Sequence, residues 1–268
     1  MTASSPIGIF DSGIGGLTVA RAIKKVLPNE QLIYFGDTAH LPYGDKSTAS
    51  IQAYSVKIAD VLLKANCKMI LIACNSASTA AFELVKAYVA SRATVFDVIE
   101  PVVEYVKVHH QGKKVGLIGT KQTVNSGVYR HKIEAINKSI IFKALATPLL
   151  APMVEEGFHN NDISEAIIKT YLDDEELEGV DALILGCTHY PLIKPQIDGI
   201  YQGKVEVIDS SEMVAEATKK YLEEKGLLNI GEKAKDRFLV SDYTPSFENT
   251  TKLFFGKEVN LEKYPLWE

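Results

Sequence analysis

The sequence predicts an α/β protein made of two similar units, each a parallel sheet with helices packed against it. Two observations support this fold class. Short apolar segments alternate with amphipathic helical segments along most of the 268 residues, as they do in parallel α/β sheets. The pattern also starts again near residue 114, so the second half repeats the first. We therefore expect two domains, related by a pseudo-twofold repeat, that face each other across a central cleft.

The first half shows the alternation most clearly. A strand at Ile7–Phe10 leads through a glycine-rich turn into a helix at 17–27 that ends before Pro28. The proline and glycine residues of the loop at 40–45 predict irregular backbone. The other elements predicted in this half are a strand at 31–36, a helix at 50–65 and strands at 69–73 and 95–98.

Matching residues at equivalent strand ends indicate an internal repeat. Gly8–Ser12 aligns with Gly116–Thr120, and both strands end in a hydroxyl residue. In each half a later apolar strand ends in a cysteine, Cys74 in the first and Cys187 in the second. Because open α/β sheets bind ligands at the carboxyl ends of their strands, each wall of the cleft would carry one thiol.

The domain boundaries follow from the same pattern. Residues 98–207 form the predicted second domain, and residues 1–97 form the first. A strand at 205–208, a long charged helix at 211–225 and a strand at 237–240 follow the second cysteine. We expect the chain to return to the first domain there, which would then comprise residues 1–97 and 208–268.

Composition and charge exclude several classes of protein. The chain has 29 basic and 34 acidic residues, a formal charge of -5, and its basic residues are scattered, which argues against nucleic acid as a partner. No apolar run approaches the roughly 20 residues that span a bilayer, and Met1–Pro6 lacks the features of a secretory signal. We expect a cytoplasmic protein with no membrane partner and three free thiols.

The cysteines admit more than one interpretation. A single cysteine is most often a small buried apolar residue, and this is our interpretation of Cys67. Two thiols at matching strand ends, beside hydroxyl groups and backbone N–H groups, instead favour a chemical role. A zinc site needs three or four ligands at local spacings that are missing here, so we expect no metal. A Cys187–His189 nucleophile is possible by spacing but leaves Cys74 without a role.

The turn after the first strand suggests the charge of the ligand. Asp11–Gly16 matches neither the dinucleotide nor the Walker fingerprint, and Asp11 would repel a phosphate but suits an ammonium group. Hydroxyl groups suit a carboxylate, although any one of them taken alone is better explained as a helix N-cap. Two opposed thiols are what inversion of a carbon by proton transfer requires. The hydroxyl residues at predicted strand ends are Ser12, Ser76, Thr120, Thr123 and Thr188.

Four motifs together resemble, in order and spacing, those of bacterial glutamate racemases. They are Asp11–Leu17, Pro42–Gly44, Ala73–Ala77 and Gly186–Pro191. The resemblance extends from Ile7 to about residue 210. It implies two α/β domains and a cofactor-independent interconversion of L- and D-glutamate, which supplies D-glutamate for peptidoglycan, cell wall biogenesis and cell shape.

The resemblance also implies roles for individual residues. Cys74 and Cys187 would be the two proton donors and acceptors, with Asp11 supporting the first and Glu155 and His189 the second. Many members carry threonine at position 76, but serine keeps the hydroxyl group. We also expect a homodimer. The implied contacts to the amino acid are Asp11, Ser12, Pro42, Tyr43, Gly44, Asn75, Ser76, Thr120, Thr123, Thr188 and His189.

Two alternatives stay open at this stage. Aspartate racemases also use paired cysteines, and the length of the substrate side chain cannot be read from these motifs. A non-catalytic amino-acid binding protein with the same cleft would bind glutamate without exchanging its α-proton, but this alternative gives the two matched thiols no role.

Overall fold

A computed structural model describes residues 1–268, apart from the side chains at positions 246 and 249, and contains ten strands. The strands are β1 (Ile7–Asp11), β2 (Leu32–Gly36), β3 (Met69–Ile72), β4 (Thr94–Asp97), β5 (Lys114–Gly119), β6 (Ile141–Ala146), β7 (Ala182–Gly186), β8 (Glu206–Asp209), β9 (Arg237–Val240) and β10 (Leu261–Lys263).

Eleven α-helices connect and cover these strands. They are α1 (Leu17–Val26), α2 (Thr48–Lys64), α3 (Asn75–Val89), α4 (Glu100–His109), α5 (Lys121–Asn125), α6 (Val128–Ile136), α7 (Leu150–Glu155), α8 (Asp162–Leu172), α9 (Lys194–Tyr201), α10 (Ser210–Glu224) and α11 (Pro245–Phe255). Among the described residues, none of these helices is both long and apolar enough to cross a membrane.

The strands form two wholly parallel sheets. The first has the order β10-β9-β2-β1-β3-β4 and the second the order β6-β5-β7-β8. The order β2-β1-β3-β4 is repeated by β6-β5-β7-β8, so β1 corresponds to β5 and β3 to β7. The predicted fold class of two similar parallel-sheet α/β units is confirmed, with β9 and β10 added to one edge of the first sheet.

The segment after β8 packs on the first sheet. β9 pairs with β2, and β10 pairs with β9. Helix α10 lies against both α1 and α4. β8 itself pairs with β7, so the predicted boundary between residues 207 and 208 falls inside a strand of the second sheet. The division into domains at these bounds stays a prediction.

Burial on both faces explains the continuous apolar composition of the central strands. All residues of β1, β2, β3 and β7 are buried, as is usual where helices cover a parallel sheet on both sides. Helix α1 shows the complementary pattern, because Leu17, Ala20 and Ile23 are buried while Arg21 and Lys25 face solvent.

The loop at 40–45 is more regular than we predicted. Tyr43–Asp45 forms one turn of 3-10 helix, directly after Pro42 in extended backbone. Proline cannot continue a helix but is compatible with the residue that precedes one, and a single 3-10 turn needs only three residues. The loop therefore has a defined shape where the sequence indicated irregular backbone.

Candidate active site

The predicted site residues lie mainly at the carboxyl ends of four strands. Asp11 ends β1, and Cys74 follows β3 in the neighbouring position of the first sheet. Thr120 follows β5, and Cys187 follows the adjacent strand β7 in the second sheet. Parallel pairing places the carboxyl ends of β1 and β3 side by side in the first sheet, and those of β5 and β7 side by side in the second. Direct contacts join these two edges. The structure thus brings both thiols to one cleft.

Cys74 forms the first wall of the cleft. Its sulfur caps α3 by accepting the Ala77 N–H at 3.4 Å, and its thiol donates to Ser12 Oγ at 3.6 Å. Burial, reinforced by the nearby Asp11 carboxyl group, raises the pKa of Cys74 to about 12. At neutral pH this thiol is protonated, so in the resting protein it can act as an acid.

Asp11 lies beside this thiol and is completely buried. Its Oδ2 accepts the Gly13 N–H at 3.0 Å, whereas its Oδ1 has no hydrogen-bond partner among the described residues. Burial raises the pKa of Asp11, although His189 and the N–H groups of Gly16 and Gly13 counteract this effect. A buried carboxylate oxygen without a donor is costly, and an ammonium group would satisfy it.

Asn75 presents the complementary group. The Tyr129 hydroxyl donates to Asn75 Oδ1 at 2.7 Å, which orients the amide, and the Nδ2 group is left buried with no partner among the described residues. An unpaired buried N–H₂ suits a carboxylate oxygen. Tyr129 was not predicted as a site residue, because nothing in its local sequence indicates that it reaches a strand end of the other sheet.

Cys187, His189 and Glu155 form the second wall. The Cys187 sulfur lies 3.5 Å from His189 Nδ1, and His189 Nε2 lies 2.8 Å from Glu155 Oε1. Cys187 and His189 are both buried, at 6% and 5% exposure. The Phe254 ring packs edge-on against the imidazole at 5.2 Å between ring centres. The imidazole is therefore held between a thiol and a carboxylate.

The charge state of His189 follows from these neighbours. Burial by itself lowers the pKa of His189, but Cys187 and Glu155 outweigh this effect, and the pKa lies well above its usual value. The protonated imidazole of His189 thus lies next to the Cys187 sulfur. The two walls therefore differ: Cys74 is a neutral thiol beside an acid, and Cys187 lies beside a cation.

Hydroxyl groups join the two walls. Ser76 Oγ, at the start of α3, lies 2.8 Å from Thr120 Oγ1 of the opposite sheet. Thr120 Oγ1 lies 3.1 Å from Thr123 Oγ1 and also accepts the Thr123 N–H as the N-cap of α5. The capping and site interpretations of Thr120 are thus compatible.

A second contact between the walls runs from α1 to the strand end of β7. The Thr18 hydroxyl donates to the backbone carbonyl of Thr188 at 3.0 Å. Thr188 is buried, and its own hydroxyl lies 3.4 Å from His189 Nδ1. Thr18 was not predicted as a neighbour of the site, because the sequence indicated only that it lies in a helix.

The loop of Pro42, Tyr43 and Gly44 reaches the cleft only in part. Tyr43 is buried, and its hydroxyl donates to Asp37 at 2.7 Å rather than to any predicted site residue. Gly44 lies against Thr120, because a Cβ atom at position 44 would be 2.9 Å from the Thr120 Cβ. Pro42 is exposed, and no described contact connects its side chain with the thiols.

Gly15 allows the first wall to touch the second. A Cβ atom at position 15 would lie 2.4 Å from His189 Cε1 and 2.7 Å from Thr188 Oγ1, both closer than non-bonded atoms approach. We expect Gly15→Ala to displace His189 and to lower the kcat/KM of the reaction proposed below by about tenfold or more. Steady-state kinetics would measure this loss.

The control for this variant is Gly199→Ala. Position 199 lies in α9, where an added Cβ meets no atom within 4 Å. Equal activity in the two variants, both folded by circular dichroism, would contradict the close contact between Gly15 and the second wall.

The described residues contain no group of three or more His, Cys, Asp or Glu side chains placed to hold a metal ion. The donor set of the cleft consists of two thiols, one imidazole, carboxylates, hydroxyls and amides.

Comparison with known proteins places this geometry in a family. The Asp/Glu/hydantoin racemase family model matches residues 16–218. The glutamate racemase of Neisseria meningitidis serogroup A is 41% identical over 253 residues, which cover 94% of this chain and 93% of that protein.

Solved structures agree over almost the whole chain. The glutamate racemase of Francisella tularensis, in complex with D-glutamate, superposes with a TM-score of 0.93 at 38% identity and covers 99% of both chains. The glutamate racemase of Thermus thermophilus, in complex with β-chloro-D-alanine, gives a TM-score of 0.89 at 36% identity and covers 98% of both chains. The chain therefore belongs to the glutamate racemase family, within the Asp/Glu/hydantoin racemases.

Proposed function

We propose that this protein interconverts L- and D-glutamate without a cofactor, by proton transfer between the α-carbon and two cysteines. One observation carries the proposal. Beside Cys74 the structure buries a carboxylate oxygen of Asp11 and an amide N–H₂ of Asn75 that have no hydrogen-bond partner in the described part of the chain, while a second thiol lies on the opposite wall. An α-amino acid supplies both missing partners, an ammonium group and a carboxylate. Membership of the glutamate racemase family supports glutamate as the substrate.

The two cysteines would act from opposite faces of the α-carbon. In one direction Cys187, as thiolate, removes the α-proton, and the protonated Cys74 returns a proton to the other face; the reverse reaction exchanges these roles. The resting charges suit the first direction, since Cys74 is a neutral thiol and Cys187 lies beside His189. Each turnover leaves the proton on the other thiol, so the enzyme must return to its starting state by exchange with water or by turnover in reverse.

The supporting groups would adjust the charge of each thiol. Asp11 would hold the substrate ammonium group beside Cys74, and this positive charge would ease ionisation of that thiol when it serves as the base. On the other wall, Glu155 holds His189 in its protonated form, and His189 would stabilise the Cys187 thiolate.

The remaining polar groups would bind the carboxylates of glutamate. The row of hydroxyls that crosses the cleft, with Asn75 at one side, would donate to oxygen atoms of the substrate. The loop of Pro42, Tyr43 and Gly44 would close the cleft next to Thr120. The residues proposed to contact glutamate are Asp11, Ser12, Pro42, Tyr43, Gly44, Asn75, Ser76, Thr120, Thr123, Thr188 and His189.

We also propose the cellular setting that accompanies this activity. D-glutamate is a building block of peptidoglycan, so the enzyme would supply cell wall synthesis from the cytoplasm. A homodimer is proposed as its assembly; Leu149, Phe158 and Ile163, near α7 and α8, are exposed apolar side chains that such a contact would bury. Sedimentation velocity at micromolar concentration would test the dimer.

The reaction itself is tested by proton NMR in D₂O. The reduced protein, dialysed against chelator, is incubated with L-glutamate, D-glutamate or L-aspartate, and the α-proton signal and the circular dichroism are followed together. Loss of both signals for either glutamate enantiomer, but not for aspartate, is the expected result. Folded protein that exchanges neither glutamate enantiomer would contradict the proposal, and exchange of aspartate alone would change the substrate.

A variant of Glu155 tests the proposed support of Cys187. In Glu155→Gln the partner of His189 loses its charge, so the pKa of His189 falls and the protonated imidazole is lost at lower pH. We expect the alkaline limb of kcat/KM to move toward lower pH and the maximal rate to fall by about tenfold or more.

Glu156→Gln is the matched control for the Glu155 variant. It removes the same charge one residue further along the chain, from an exposed side chain that makes no described contact with His189. Coincident pH profiles for both variants and the unmodified protein would show that Glu155 does not set the charge of His189.

A further inference from the structure

A single buried carboxylate gathers four hydrogen-bond donors next to the cleft. Asp37 follows β2 and is completely buried. Its oxygens accept the Tyr43 hydroxyl, the Ser241 hydroxyl and the Trp267 Nε1–H, each at 2.7 Å, and the His40 Nδ1–H at 3.0 Å. We call these five residues the Asp37 cluster. The cluster joins the loop at 40–45 to the segments that follow β9 and β10.

Trp267 is held in this cluster on several sides. Its ring packs edge-on against His40 at 4.5 Å and against Tyr54 at 5.3 Å between ring centres, and the Lys57 ammonium group lies 4.4 Å from the ring centre. The indole is half-buried and is the only tryptophan of the chain. Its position after the end of β10 is therefore defined by contacts with α2 and with the loop at 40–45.

The loop that the cluster holds also touches the opposite wall. Tyr43 uses its hydroxyl on Asp37, so its side chain anchors the loop. The next residue, Gly44, packs against Thr120, whose hydroxyl lies 2.8 Å from Ser76. A shift of the loop would therefore change the width of the cleft at the hydroxyl row, where the proposed function places a substrate carboxylate.

We propose that Trp267 is a positioning residue for glutamate binding, which acts through Asp37 to hold the loop at 40–45 against Thr120. This inference rests on the proposed function. Trp267 itself touches no group proposed to move a proton, because the described partners of the Cys74 thiol are Ser12 and Ala77 and that of Cys187 is His189. Its effect should therefore fall on binding rather than on the chemical step.

The physical reason is the cost of a buried carboxylate that loses a donor. Asp37 has four donors for two oxygens, and each is a charge-assisted hydrogen bond. In Trp267→Phe the ring is retained but the donor is removed, so the carboxylate turns toward its remaining donors, two of which belong to the loop. We expect KM for glutamate to rise about three- to tenfold, with kcat within about twofold of the unmodified enzyme.

The experiment compares three variants by steady-state kinetics and thermal unfolding. Trp267→Phe and Ser241→Ala each remove one donor from Asp37, and both should raise KM. Tyr105→Phe is the control, because it also removes a hydroxyl that donates to a carboxylate. The Tyr105 hydroxyl, on the exposed face of α4, donates to Glu206 at 2.5 Å. This variant should leave KM and kcat unchanged.

The possible results separate this inference from the proposed function. An unchanged KM in Trp267→Phe would overturn the positioning role. A fall in kcat together with an equal loss of thermal stability in both Trp267→Phe and Ser241→Ala would overturn it as well. If the unmodified protein does not turn glutamate over, the proposed function fails. The positioning role of Trp267 is then tested by measuring the affinity of the unmodified protein and the same variants for D-glutamate by calorimetry. Weaker binding in both cluster variants supports it, and equal or absent binding overturns it.

Discussion

Cys74→Ser and Cys187→Ser are each expected to lower racemisation of glutamate by roughly a thousandfold or more, since each removes one of two required proton-transfer groups. A serine hydroxyl is far weaker as an acid and as a base at neutral pH than a thiol near a cation or an acid. The loss would be measured by circular dichroism from both enantiomers. The magnitude follows from the geometry, in which the two walls present one thiol each and the described residues offer no other thiol near the cleft.

The same variants should separate proton exchange from inversion. With one thiol missing, the other can still remove a proton from its own face and return deuterium to that face. Each variant should therefore exchange the α-proton of one glutamate enantiomer in D₂O without inverting it, and the two variants should prefer opposite enantiomers. Both variants exchanging the same enantiomer would contradict a mechanism with bases on opposite faces.

Cys67→Ala is the control for both cysteine variants. Cys67 is as buried as the other two cysteines, and burial raises its pKa to about 12, but it packs in the core near Gly8 and Leu62. Retained activity is expected. Full racemisation by both of the other single variants would overturn the two-cysteine mechanism.

Lys68→Met is expected to destabilise the protein by about 3–5 kcal/mol, the range seen when one partner of a buried ion pair is removed. Lys68 and Glu30 form an ion pair of 2.6 Å with 0% and 1% of their side chains exposed. The Lys68 ammonium group also donates to the carbonyls of Ala3 and Leu227, and Glu30 accepts the Asn229 N–H at 2.8 Å. The pair thus fastens the segment after α10 to the first sheet.

The free energy of unfolding of the unmodified protein and of each variant would be measured by denaturant titration. Lys64→Met is the control, because it breaks the exposed pair with Asp60 and should leave the unfolding midpoint nearly unchanged. Combining Lys68→Met with Glu30→Gln should recover part of the loss, because the penalty comes from the unpaired charge. A Lys68 variant as stable as the Lys64 variant would contradict this account.

Much of the fold could be predicted from alternation and repetition. Apolar segments such as Ile7–Phe10 and Met69–Ala73 correspond to β1 and β3 within one or two residues, because strands buried on both faces must be continuously apolar. β6 and β10 were not predicted. β6 is only partly buried, with Ile141 exposed, and the three residues of β10 are too short for a pattern.

The candidate site was predictable to the extent that it lies at strand ends. Cys74, Asp11, Cys187 and Thr120 lie where matching strands stop, and their roles as catalytic or binding residues stay predictions. Glu155 came from the resemblance to glutamate racemases alone, and the structure places it 2.8 Å from His189. The partners that complete the site, such as Tyr129 on Asn75, come from distant elements with no local signal.

The sequence by itself determined the fold class, the repeat with its two matched thiols and the family, because these depend on local periodicity and on motifs of a few consecutive residues. The tertiary structure alone decided which groups are left unpaired, which charges meet and how the walls touch. Among the described residues, Asp11 Oδ1 and Asn75 Nδ2 are left buried without partners by the fold, and the pKa of His189 is raised because Cys187 and Glu155, the latter 34 residues away in sequence, both lie beside it. Burial and long-range contact set pKa values and hydrogen-bond satisfaction, and neither quantity is encoded at any single position.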